Sequence, residues 1–139
     1  MKKPLLKITS ILLMTIAISI SFVSCQKVVN NKNWIGFSES VISFDSAGGE
    51  KTVPALKSGF FLEQLTSYGP NNEVLYQDFH GEDGTLSCEW CTIINNCSTG
   101  SNSMTISVSK NKTGSMRTCK VYAMMGGYGE VVTINQETE

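Results

Sequence analysis

The feature that most narrows what this chain can become is a two-residue beat of apolar and polar side chains through its C-terminal half. "SMTISVS" puts Met104, Ile106 and Val108 on one side, with serines and threonines on the other. "RTCKVYAMM" sets Cys119, Val121 and Ala123 against Lys120, Tyr122 and Met124. Successive side chains of a strand point to opposite faces, so this beat describes sheets with one buried face. Outside the N-terminal leader no stretch holds an apolar 3.6-residue period long enough for a helix.

The same reading extends toward the N-terminus. "VISFDS" alternates with Ile42 and Phe44 on one face, and "AGGE" is a turn. "KTVPAL" resumes, with Pro54 marking an edge strand because proline has no N–H for a neighbour. "GFFLEQLTSY" is broken by "GPNN", "EVLYQDF" is ended by the loop "HGEDG", and "TLSCEWCTII" follows with Leu86, Cys88, Trp90 and Ile94 on one parity. After the "MGGYGE" hairpin signal, "GEVVTINQE" closes the chain. Seven or eight short antiparallel strands with turn signals between them predict an all-β sandwich over residues 40–137.

The leader is of a different kind. Lys2, Lys3 and Lys7 precede the apolar run "ILLMTIAISI", and small residues lead to Cys25. That order is an export signal, too short and wrongly flanked for a spanning helix. "SFVSC" resembles a bacterial lipobox, which predicts a signal peptide over 1–24, a lipidated Cys25 and a tether over 25–39. The expected address is the cell envelope, at the outer membrane or facing the periplasm, held to the membrane by acyl chains. Without the leader the chain keeps eight basic and twelve acidic side chains, a net charge of −4 with no basic cluster. Nucleic acid is therefore not an expected partner.

Four cysteines remain once Cys25 is set aside, and an even count in an exported domain is first a disulfide framework. On one continuous strand Cys88 and Cys91 would have opposite parity, which argues against a tetrahedral metal site. A redox C-x-x-C stands before a helix, and the surroundings here are β. Of the three connectivities open to Cys88, Cys91, Cys97 and Cys119, the parity of core residues favours Cys88–Cys119, with Cys91–Cys97 closing a surface loop.

Catalysis is poorly served. His80 is the only histidine, and Asp78, Glu82 and Asp83 around it fit no EF-hand spacing. No phosphate loop or nucleophile motif is present, and no cofactor or metal is expected. Aromatic rings that could stack on sugar C–H faces are better placed. Tyr128 sits at a hairpin, Tyr68 adjoins "GPNN", Tyr76 leads to the acidic loop, and Tyr122 shares an outward face with Met124. Trp90 is expected in the core, and Trp34 in the tether or an early strand. Asp45-Ser46-Ala47 resembles a short O-glycosylation signal of exported Bacteroidetes proteins, with Ser46 as its hydroxyl.

Residues 40–137 resemble the BACON domain, the Bacteroidetes-associated carbohydrate-binding often N-terminal module. The residues that carry the resemblance are Phe44, Gly48 and Gly49, Trp90, Asn111 and Arg117, then Val131 or Val132 and Gln136. Gly59-Phe60-Phe61 stands where the family has a tryptophan, the stretch from Tyr68 to Thr85 is inserted, and the cysteines lie outside the pattern. The resemblance implies an immunoglobulin-like sandwich and a glycan- or mucin-binding role. The expected function is thus an envelope binding or adhesion module without catalysis. The alternative is a protein-interaction or inhibitor lipoprotein of the periplasm that uses the inserted 68–85 segment.

Overall fold

A computed structural model describes residues 35–79 and 84–139. Cys25, Trp34, His80, Glu82 and Asp83 lie outside the described residues. Among the described residues there are nine strands: β1 (Val41–Phe44), β2 (Gly49–Pro54), β3 (Phe61–Tyr68), β4 (Val74–Phe79), β5 (Thr85–Ser87), β6 (Cys91–Asn95), β7 (Ser103–Val108), β8 (Arg117–Met125) and β9 (Tyr128–Gln136). They form a sandwich of one five-stranded sheet, in the order β1-β9-β8-β3-β4, and one four-stranded sheet, β2-β7-β6-β5.

The alternation read from the sequence becomes the inner faces. Met104, Ile106 and Val108 of β7 face Cys119, Val121 and Ala123 of β8 across a core that also takes Ile42, Val53, Leu65, Val132 and Ile134. Burying such a face is the main drive to fold, at about 25 cal/mol per Å² of apolar surface removed from water. Pro54 ends β2, which is an edge strand as its missing N–H requires.

Three expectations change. The run "TLSCEWCTII" is two strands, which raises the strand number to nine. Ser87 pairs with Thr92, and the Cys88 N–H donates to the Cys91 carbonyl at 2.8 Å. Glu89 and Trp90 are therefore a two-residue turn, and Ile94 faces out while Ile93 faces in. Next, β1 pairs with β9 in parallel, Ile42 beside Ile134, and every other pairing is antiparallel. Finally, the packed chain begins before residue 40. Ile35 and Phe37 are buried, and Phe37 meets the Phe60 ring edge-on at 5.0 Å. Glu130 accepts the Gly36 and Phe37 N–H groups (2.9 and 3.2 Å), and Phe37 bridges to Ala55.

One end of the sandwich is closed by buried amides. Gln136 is fully buried, and its Nε2 donates to the carbonyls of Asp45, Ser46 and Ser109 (3.2, 3.3 and 2.8 Å). Its Oε1 accepts Nε and Nη2 of Arg117 (3.0 and 2.8 Å). Asn111, also fully buried, donates to the carbonyls of Ser115 and Glu137 and accepts from the Thr113 N–H and hydroxyl. Among the described residues no buried side-chain polar atom lacks a partner.

Replacing Gln136 by leucine leaves three carbonyls and the Arg117 guanidinium short of a partner, and should cost about 3 kcal/mol of stability in a urea titration. At the "AGGE" turn, Gly48 has φ +76° and a Cβ there would come within 2.2 Å of the Val108 carbonyl oxygen. Gly49 has φ +142° and open space around it. Gly48→Ala should therefore destabilise by about 2 kcal/mol or more, and Gly49→Ala by about half as much, in the same assay. Equal effects would mean that crowding at Val108 does not matter.

Candidate functional site

Two surface features could do chemistry or hold a ligand. The first is the outer face of the five-stranded sheet. On β8 the residues opposite in parity to the core include Thr118, Lys120 and Tyr122. Their partners on β3 are Tyr68, Thr66 and Gln64, and on β9 Asn135, Thr133 and Val131. Directly paired residues share a face, so these side chains form one platform. A shallow depression of about 150 Å³ lies between Gln64, Thr66, Tyr68, Lys120, Tyr122 and Val131.

The platform is built to hold two rings in place. The Lys120 ammonium sits 5.2 Å from the Tyr68 ring centre, a cation–π contact. The Tyr122 ring lies against the sheet over Gly129, where a Cβ would come within 2.0 Å of its hydroxyl. Because Gly129 has no side chain, the half-buried Tyr122 ring occupies the space that a Cβ there would take. Gln64 donates to the Thr66 hydroxyl at 2.9 Å, and Thr118 donates to Asn135 at 2.9 Å, which orients polar groups along both sides. Flat aromatic faces flanked by amides and hydroxyls suit ligands that offer both C–H faces and hydroxyl groups.

Of the four tyrosines singled out from the sequence, the fold brings Tyr68 and Tyr122 together. Tyr76 pairs with the buried Ser67, so it points toward the other sheet. Tyr128 opposes Met125 beside the two-glycine turn, near the far end of β8 from Tyr68. Lys120 and Gln64 were not singled out. The outward parity of Lys120 beside Tyr122 was in the sequence, but only the β3–β8 register brings Tyr68 and Gln64 alongside. Asp45-Ser46-Ala47 does form a turn, with Asp45 Oδ1 accepting the Ala47 N–H at 3.0 Å.

The second feature is the open edge of the sandwich between β4 and the β5–β6 hairpin. A groove of about 470 Å³ is lined by Ser67, Leu75, Tyr76, Cys88, Glu89 and Trp90. Trp90 is nearly buried, in accord with its expected place, and the Arg117 guanidinium stands 4.8 Å from its ring centre. Burial pulls the Arg117 guanidinium down from its ordinary range, while Cys88 and Glu89 draw it up. Asp78 of β4 accepts the Ser87 N–H at 2.8 Å and ties the edge strand to the hairpin.

Of the expected pairing, the fold sets Cys119 beside Cys88 but places Cys97 away from Cys91. All four are thiols in this structure. The two-residue turn makes Cys88 and Cys91 direct cross-strand neighbours, so they share a face and the parity argument against their convergence fails. Cys119, wholly buried on β8 of the opposite sheet, lies close enough to both to perturb and be perturbed by them. Cys97 stands apart from this group. Asn96 still donates to the Ser103 carbonyl of β7, so five extended steps, about 16 Å, separate it from Cys91. One further residue cannot bring Cys97 back within the roughly 7 Å that a disulfide tolerates. The Cys91–Cys97 bridge is thereby ruled out, whereas Cys119 is in reach of Cys88.

This closeness divides the acidity of the cluster. The Cys88 thiol is pulled down to about 6, first by the Cys119 side chain, then by the Trp90 and Cys91 N–H groups and the Arg117 charge, against a desolvation penalty. Cys119 is pushed upward by Cys88 first, then by Cys91 and by burial. Among the described residues no group of three or more His, Cys, Asp or Glu side chains is set to hold a metal ion.

No protein-family model and no curated protein matches the chain. Solved structures do. A protein from Bacteroides thetaiotaomicron, determined by NMR, aligns with a TM-score of 0.56 at 12% identity, over 76% of this chain and 87% of that one. A Bacteroides ovatus GH5 xyloglucanase, solved in complex with a XXXG heptasaccharide, aligns with a TM-score of 0.47 at 14% identity. That alignment takes in 76% of this chain and 19% of the xyloglucanase. At these identities the first likeness is one of fold alone, and the second carries no argument.

Proposed function

We propose that this chain is a lipid-anchored binding module of the cell envelope that holds glycans on the outer face of its five-stranded sheet. The observation that carries the reading is the pair Tyr68 and Tyr122, held on one platform with Lys120 between them. A sugar ring has an apolar face of axial C–H groups and a rim of hydroxyls. Tyr122, backed by Gly129, offers the flat partner for the first. Gln64, Thr66 and Lys120 offer donors and acceptors for the second. The resemblance to the BACON domain points to the same ligand class, and the lipobox-like "SFVSC" supports anchorage through Cys25. On this reading the chain binds its glycan and leaves it unchanged.

A second reading has its own support. β4 is a sheet edge, and Val74, Leu75, Tyr76 and Phe79 along it are exposed. An unpaired edge with apolar side chains is a template for strand addition by a protein partner. This is the 68–85 segment that the sequence marks as inserted.

A glycan array probed with the full chain separates the two. Tyr122→Ala and Tyr68→Ala should each weaken binding by about fivefold to tenfold, the loss of one aromatic stacking partner. Gly129→Ala should weaken it too, by lifting the ring off the sheet, while Tyr128→Ala should leave it unchanged. Binding that is indifferent to Tyr68 and Tyr122 would remove the platform as the site. No binding to any glycan, with a fixed protein co-purifying and released by Leu75→Lys, would favour the β4 edge.

A further inference from the structure

We propose that Cys88, Cys91 and Cys119 form a thiol–disulfide exchange site, in which Cys88 takes up a small disulfide from the edge groove and Cys119 resolves it. This goes beyond the binding reading and does not depend on it. The inference rests on the arrangement of the three sulfurs. Cys88 is part-exposed and lines the groove of about 470 Å³, and it also lines a second opening on the other side of the hairpin. Cys91 and Cys119 are 1% and 0% exposed, so a reagent from solvent meets Cys88 first. The two-residue turn holds Cys88 opposite Cys91, and Cys119 reaches both from the other sheet. Three thiols can make only one disulfide among themselves, and Cys97 is too far along the chain to take the third.

Static staples come in pairs, whereas an odd cluster always keeps a nucleophile beside its disulfide. Exchange needs an accessible thiolate and a resolving thiol close behind it. The Cys119 side chain first, then the Trp90 and Cys91 N–H groups and the Arg117 charge, stabilise sulfur as an anion at Cys88 against the cost of burial. The charged and titratable groups that face it are Arg117 and Cys119 from β8, Cys91 from β6, Glu89 on its own turn, and Asp78 and Tyr76 from β4.

The step balances with a low-molecular-weight disulfide, RSSR, as oxidant. The Cys88 thiolate attacks one sulfur, the S–S bond of the reagent breaks, and RS⁻ leaves, giving a Cys88–SR mixed disulfide. The Cys119 sulfur then attacks Cys88 Sγ and breaks the Cys88–SR bond, and the Cys119 proton passes to the departing RS⁻. The first RS⁻ takes up from water the proton that Cys88 released on ionising, so two protein thiols are oxidised to one disulfide and one RSSR is reduced to two RSH. That disulfide ties the two sheets together at the open edge, and Cys91 stands beside it as the sulfur able to reopen it.

The test uses the reduced full chain and glutathione disulfide, with the products trapped by acid and mapped by mass spectrometry. The wild type should release glutathione and finish with Cys119 joined to Cys88. The Cys91→Ala/Cys119→Ala variant should stop at a glutathione adduct on Cys88, and Cys88→Ala should slow release by about tenfold or more. Should a variant fail to fold, the wild type still decides. Iodoacetamide labelling of its Cys88 should rise through pH about 6, against about 8.5 for an ordinary cysteine. Labelling that rises near the ordinary value, adducts confined to Cys97, or a Cys88–Cys119 bridge that reduced glutathione cannot reopen would each overturn the proposal. The last result would make the bridge a static staple.

Discussion

The amide of Gln136 is the contact on which the rest of this sandwich turns. It is buried at the end of the last strand, and its two ends serve different parts of the chain. The nitrogen gathers carbonyls from the β1–β2 turn and from the residue after β7, and the oxygen fixes Arg117 at the start of β8. A buried polar group is costly unless paired, so this end can close only when strand ends from both sheets have met. Arg117, once fixed, covers Trp90, and Trp90 forms the turn that brings Cys88 opposite Cys91. Arg117 thus links the polar end of the sandwich to the turn that carries the thiol cluster.

The two faces of β8 divide the work. Its inner face contributes Cys119, Val121 and Ala123 to the core, and its outer face contributes Thr118, Lys120 and Tyr122 to the platform. Because a one-residue slip would exchange the two sets, the register that buries the core also fixes the platform. β8 can carry both roles because it lies in the sheet interior, paired along its length by β3 and β9. The edge strand β4 has one partner, and its exposed apolar side chains are held less by packing. A rigid platform and a free edge on one sheet are different kinds of binding surface, which is why the two functional readings separate cleanly.

Much of the fold was legible in the residues. The alternation in β7 and β8, the proline at the end of an edge strand, the two-glycine hairpin before β9 and the burial of Trp90 all follow from local chemistry. The misreadings share a cause as well. "TLSCEWCTII" carries no glycine, asparagine or proline, so the turn at Glu89–Trp90 has no residue signature. Read as one strand, it sends Cys88 and Cys91 apart. Folded back on itself, it brings them together. Ile35 and Phe37 alternate as a strand would, but a bridge of one residue pair is too short to declare itself before Ala55 and Phe60 are in place.

What the sequence determined by itself is the kind of structure and its inner faces. A side-chain period of two needs no partner to be read, and it already says which residues a sheet must hide. What only the tertiary structure decided is which strands lie beside one another and which sulfurs and rings meet. Tyr68 and Tyr122 are brought onto one platform by the antiparallel register of β3 and β8. Cys119 reaches Cys88 and Cys91 by facing them across two packed sheets. Those are contacts between segments distant along the chain, and strand order is set by the joint burial of every inner face rather than by any segment alone.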